Sequence, residues 1–88
     1  MTNLDKQILS FSNWEKPYDF FKSVAAKLDD ADLKTFEEIW NKTSDTNYWR
    51  EADIVLACKA AHTFIRNNYN LDDSAIGPIV RAISFQWK

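Results

Sequence analysis

Apolar residues recur along the chain at helical spacing. Leu4, Ile8 and Phe11 share one face of a first short segment, with Asn3 placed to cap it and Asp5 to complement the positive end of the helix dipole. Ser12 to Glu15 spells a capping box, but a helix starting there would carry Pro17 in its interior, so Pro17 is the better first helical residue. From it, Phe20, Phe21, Val24 and Leu28 follow the i, i+3, i+4, i+7 rule, with Lys22, Ser23 and Lys27 opposite. Asp29 and Asp30 interrupt the pattern and cap a third segment, where Leu33, Phe36, Ile39 and Trp40 form a stripe facing away from Lys34, Glu37 and Glu38. The short turn between these two segments predicts an αα-hairpin over residues 17 to 42.

After the polar run Asn41 to Asn47, the longest helix is predicted from about Asn47 to Asn67. Ile54, Ala57, Cys58, Ala61, Phe64 and Ile65 share its apolar face, opposite Lys59, His62, Thr63 and Arg66. Tyr48, Trp49, Val55 and Leu56 fall toward the polar side. The first half of this helix is therefore either buried from two directions or shows an apolar patch to a partner. Asn67, Asn68 and Asn70 end it; Asp72, Asp73 and Ser74 cap a short turn before Gly77, and Pro78 restarts a helix carrying Ile79, Val80, Ile83 and Trp87 on one face. The alternation of Ile83, Phe85 and Trp87 with Ser84 and Gln86 also spells a strand, but one with no second strand to pair with.

The pattern predicts one all-α domain over residues 1 to 88, an irregular antiparallel bundle of four main helices plus a short N-terminal helix. Composition agrees: 45% of residues are hydrophobic, enough for a core, and one glycine with two prolines is too few for the turns of a small β-sandwich or barrel. The net charge of -2 lacks the basic footprint of a nucleic-acid binder. Cys58 is the one cysteine, which excludes an intrachain disulfide and fits a reducing, cytoplasmic setting. The opening MTNLDKQILSFSNW has neither a basic stretch nor an uninterrupted apolar run, so neither secretion nor membrane insertion is expected, and Asn41-Lys42-Thr43 is read as a chance glycosylation match.

Candidate chemistry thins out on inspection. Cys58 and His62 stand four apart on a helix, the spacing of a two-ligand metal site or a thiolate–imidazole pair, yet they are the only Cys and His in the chain and zinc needs three or four protein ligands. A packed cysteine beside a surface histidine is the simpler reading. Asp29, Asp30 and Asp32 begin like a calcium loop but lack its glycine and distal glutamate. Asp73-Ser74 resembles the attachment serine of acyl carrier proteins in those two residues, but Ala75 follows where that family has leucine. Glu37 and Glu38 are neighbours on a helix and do not converge as a catalytic pair. The expectation is a chain that is not an enzyme and takes no metal or cofactor.

Two features remain. Asp29, Asp30, Asp32, Glu37 and Glu38 stand against Lys34 alone, a local balance of -4, which serves either as caps and a solvated face or as a surface for a basic partner. Tyr48 and Trp49, with Trp14 and Tyr18 as companions, are large anchors that serve either core or interface. In size, mild acidity and single-domain build the chain resembles the small bacterial immunity proteins that neutralise nuclease toxins, including those of contact-dependent growth inhibition systems; the resemblance lies in the overall character of the chain and carries no residue over. It implies a binding module that occludes a basic toxin domain; the charge and aromatic pattern, independently of the resemblance, gives the five acids as the steering surface and Tyr48 and Trp49 as anchors. The alternatives are a phage-encoded inhibitor of host defence, a structural or regulatory subunit that oligomerises through the apolar Tyr48 to Leu56 surface, or an enzyme completed by a partner chain.

Overall fold

All helices but the second start where a short polar side chain takes up a backbone N–H group that the helix itself leaves unpaired. In the computed structural model, which describes residues 2–44, 49 and 53–86, these residues form five α-helices: α1 (Asn3–Leu9), α2 (Phe20–Ala25), α3 (Asp30–Thr43), α4 (Ile54–Asn68) and α5 (Asp73–Gln86). Thr2, rather than Asn3, caps α1 in a reciprocal box with Asp5. Asp29 accepts from the Asp32 N–H at 2.8 Å to open α3, and Asp53 accepts from the Val55 N–H at 2.8 Å to open α4. At α5, one oxygen of Asp72 accepts from both the backbone N–H and the hydroxyl of Ser74. These hydrogen bonds hold the Asp72 carboxyl below the usual aspartate range, the Ser74 hydroxyl contributing most.

Three helices depart from the pattern read in the sequence. The one expected from about Asn47 to Asn67 starts instead at Ile54, because Asp53 is non-helical and caps it. Pro17 opens a 3₁₀ turn, Pro17–Asp19, instead of an α-helix, and α2 ends at Ala25 rather than reaching Leu28. The chain tightens there through i to i+3 hydrogen bonds, Lys27 to Val24 at 3.0 Å and Leu28 to Ala25 at 3.2 Å, before Asp29 turns extended to cap the next helix. At the other end, α5 runs unbroken from Asp73 to Gln86 with Pro78 inside it, so Pro78 does not restart a helix. A proline disfavours helical backbone at the preceding residue by crowding its Cβ, and that residue is Gly77, exposed and without a Cβ. The strand reading of Ile83 to Trp87 is overturned as far as Gln86, since that stretch is helical; Trp87 lies outside the described residues.

The last helix is the centre of the assembly. It touches α1, the 3₁₀ turn, α3 and α4, and buries Ala75, Ile76, Ile79, Val80, Ala82 and Ile83. Helix α4 lies against it across the short 69–72 connection, with Ala57, Ala61 and Ile65 buried. By contrast, α2 and α3 meet through aromatic rings: Phe20 and Phe21 each stand 5.0 to 6.1 Å from the rings of Phe36 and Trp40. Phe11 and Trp14 close the cluster on Phe20, at 5.2 and 5.7 Å. One continuous core joins both regions, and the radius of gyration, 12.1 Å, matches the roughly 12 Å expected of a compact chain of this length.

Candidate partner-binding surface

The five acids proposed from the sequence divide by what they do locally. Asp29 is exposed and occupied as the cap of α3; Asp32 is half-buried and accepts a long hydrogen bond, 3.4 Å, from the Asn3 side chain of α1. Glu38 pairs with Lys42 one turn on, at 2.9 Å, and its hydrogen bond and charge raise the Lys42 pKa. Asp30 and Glu37 are exposed and engage no partner among the described residues. They lie two turns apart along one line of α3, with Lys34 between them. The acids thus cap or lie along one helix, but Asp29 is committed to the cap, Asp32 to a contact with α1, and Glu38 is neutralised in part by a lysine.

The aromatic anchors do not form the group expected. Trp49 is buried, 7% exposed, and belongs to the hydrophobic core. Its indole N–H donates to the Thr43 carbonyl at 2.8 Å. That carbonyl belongs to the last turn of α3, where the helix supplies no donor of its own, so the indole satisfies a polar group while its ring fills the core. As placed, Trp49 is a core residue and not an exposed anchor. Tyr48 lies outside the described residues. Trp14 is half-buried in the aromatic cluster, and Tyr18 is 68% exposed on the 3₁₀ turn, its hydroxyl donating to the Phe85 carbonyl at 3.1 Å.

What the surface does show lies at the start of α4. Ile54, Val55 and Leu56 are 37%, 57% and 61% exposed. Ile54 thereby leaves the core face to which its spacing had assigned it, whereas Ala57, Ala61 and Ile65 keep to it. Val55 and Leu56 already stood off the helical stripe in the sequence, and that misfit is the signal that marks the patch. Capping by Asp53 fixes the first turn of α4 and with it the direction in which these side chains project.

Cys58 and His62 lie on consecutive turns of α4, each half-buried, and the described residues contain no group of three His, Cys, Asp or Glu side chains able to hold a metal ion. A shallow cleft of about 440 Å³ opens between Thr2, Asp5, Asn70, Leu71 and Asp72. Asp5, 2% exposed, uses one carboxylate oxygen for the Thr2 N–H and hydroxyl, both at 2.9 Å, and the other for the Asp72 N–H at 3.0 Å. Both oxygens are engaged, so the carboxylate joins the start of α1 to the start of α5. No helix among the described residues is long and apolar enough to cross a membrane. Comparisons with protein-family models, with curated proteins and with solved structures find no match.

Proposed function

We propose that this chain is a protein-binding module that neutralises a partner by covering one of its surfaces, in the manner of an immunity protein or inhibitor acting on a basic, nuclease-type toxin domain in the cytoplasm. The observation that carries the reading is the run of three large aliphatic side chains, Ile54, Val55 and Leu56, held out to solvent by a capped helix start. A small domain needs its aliphatic residues in the core, and a rigid apolar projection is the kind of surface a protein partner fills. The exposed Asp30 and Glu37, without a partner among the described residues, give α3 the sign that favours a basic partner and speeds its approach.

The same triplet supports a second reading, a subunit that associates with further copies of itself. The two are separated by co-expressing the chain with a basic nuclease-type toxin domain encoded directly beside it and by weighing the purified species. Restored growth and a one-to-one complex support the inhibitor. A toxin left fully active, together with a homo-oligomer that dissociates on Leu56→Ser substitution, favours the subunit.

A further inference from the structure

A second exposed strip lies on different elements, where residues 14 to 18 run along α5. The Arg81 guanidinium carbon sits over the Trp14 ring, 4.2 Å from its centroid. Four residues further on in each segment, the Tyr18 hydroxyl donates to the Phe85 carbonyl at 3.1 Å. Trp14 is braced from behind by Phe11, edge-on at 5.0 Å, and by Phe20, stacked at 5.7 Å. Arg81 and Tyr18 are nevertheless exposed. Trp, Tyr and Arg are the side chains that dominate binding energy at protein interfaces, and here all three are held in place before any partner arrives, which lowers the entropy lost on docking.

The chemistry of the strip follows from how Arg81 is left. Of the two arginines in the described residues, Arg66 lies 3.7 Å from the Asp73 carboxylate, while the Arg81 guanidinium meets no acceptor there. Contact with a ring occupies the face of a guanidinium and leaves its in-plane N–H donors for a ligand; that fork fits a carboxylate or a phosphate. A nucleic-acid strand would bring many negative charges to a chain of net charge -2, next to the exposed Glu15 and Asp19, whereas one carboxylate side chain brings a single charge.

We propose that Arg81, Trp14 and Tyr18 form a contact site for a Glu or Asp side chain of a protein partner, with the guanidinium forked on the carboxylate and the Tyr18 ring against the aliphatic part of the same residue. The site lies outside α3 and α4 and stands or falls independently of the basic partner proposed above.

The test titrates the full chain with a capped octapeptide of alternating Glu and Leu, with the same peptide carrying Gln for Glu, and with a single-stranded octathymidylate. Binding is followed by the NMR signals of Arg81 Nε–H and Trp14 Nε1–H. The Glu peptide is expected to shift both signals saturably in the millimolar range. Arg81→Gln should weaken that binding at least tenfold and Tyr18→Ala severalfold, and the Gln peptide should bind at least tenfold more weakly. Arg81→Lys, which keeps the charge and loses the fork, should also weaken it severalfold and serves if Arg81→Gln disturbs the amide spectrum of the core. No saturable shift with the Glu peptide, equal binding by the arginine variants, or tighter binding of the oligonucleotide would overturn the proposal.

Discussion

Trp49 and the Ile54 to Leu56 triplet are large, apolar and close in sequence, yet the structure treats them oppositely. The tryptophan is 7% exposed, and the triplet ranges from 37% to 61%. The difference follows from what each side chain can reach. At the end of α3 the Thr43 carbonyl lacks a helical donor, and the indole N–H of Trp49 meets it while the ring joins the core. The triplet begins a helix whose buried line starts only at Ala57, so its side chains project from the first turn and stay outside the hydrophobic core. Hydrophobicity alone does not decide burial; a surface to meet and a partner for each polar atom do.

Substitutions break this comparison in a definite order. Trp49→Ala should cost the most, about 3–5 kcal/mol of the kind lost when a large buried ring is removed, seen as a large drop in melting temperature. Trp49→Phe separates the two roles: it retains most of the packing but leaves the Thr43 carbonyl without its donor, so the loss should fall to roughly 1–3 kcal/mol. Asp53→Ala should cost about 1 kcal/mol by uncapping α4, with faster hydrogen exchange confined to its first turn. The double change Val55→Ser and Leu56→Ser should alter stability by no more than about 0.5 kcal/mol, because neither side chain is buried.

The smallest effect is a pH dependence at the start of α5. Hydrogen bonds from Ser74 lower the Asp72 pKa in the folded chain, so the unfolded chain binds a proton there more readily. The resulting stabilisation is present above the ordinary aspartate value of 3.8 and is lost as pH falls through the lower folded value. Ser74→Ala should lower the melting temperature slightly on the neutral limb and flatten the acid limb, the two chains converging once pH falls below the folded Asp72 value. An unaltered acid limb would show that the Ser74 contact does not persist in solution.

The sequence made most of the scaffold readable because caps and stripes are local. Asp29 as a cap, and Phe36 and Ile39 as the buried line of α3, follow from spacing alone. What escaped it depended on neighbours distant in sequence or on a local exception. Pro78 inside α5 is tolerated beside a glycine, and the early end of α2 comes from a tightening of the chain that no side-chain pattern records. At the candidate site, spacing alone puts the acids at the start and along the length of α3, but their division into a cap (Asp29), an acceptor for Asn3 (Asp32), a lysine pair (Glu38) and two acids that meet no partner among the described residues rests on contacts with Asn3, Lys42 and a backbone N–H. Trp49 was ambiguous because a tryptophan of any given spacing serves a core or an interface equally well until the Thr43 carbonyl is in place.

The central claim is that the start of α4, and not Trp49, meets the partner. It is tested most directly by the dissociation rate of the proposed complex with a basic toxin domain, measured for the Val55→Ser, Leu56→Ser double variant beside its melting temperature. Hot-spot losses appear mainly in the off-rate, so dissociation should quicken by about tenfold or more while the melting temperature stays within a few degrees of the parent. An unchanged dissociation rate in a variant that still melts like the parent would contradict the account.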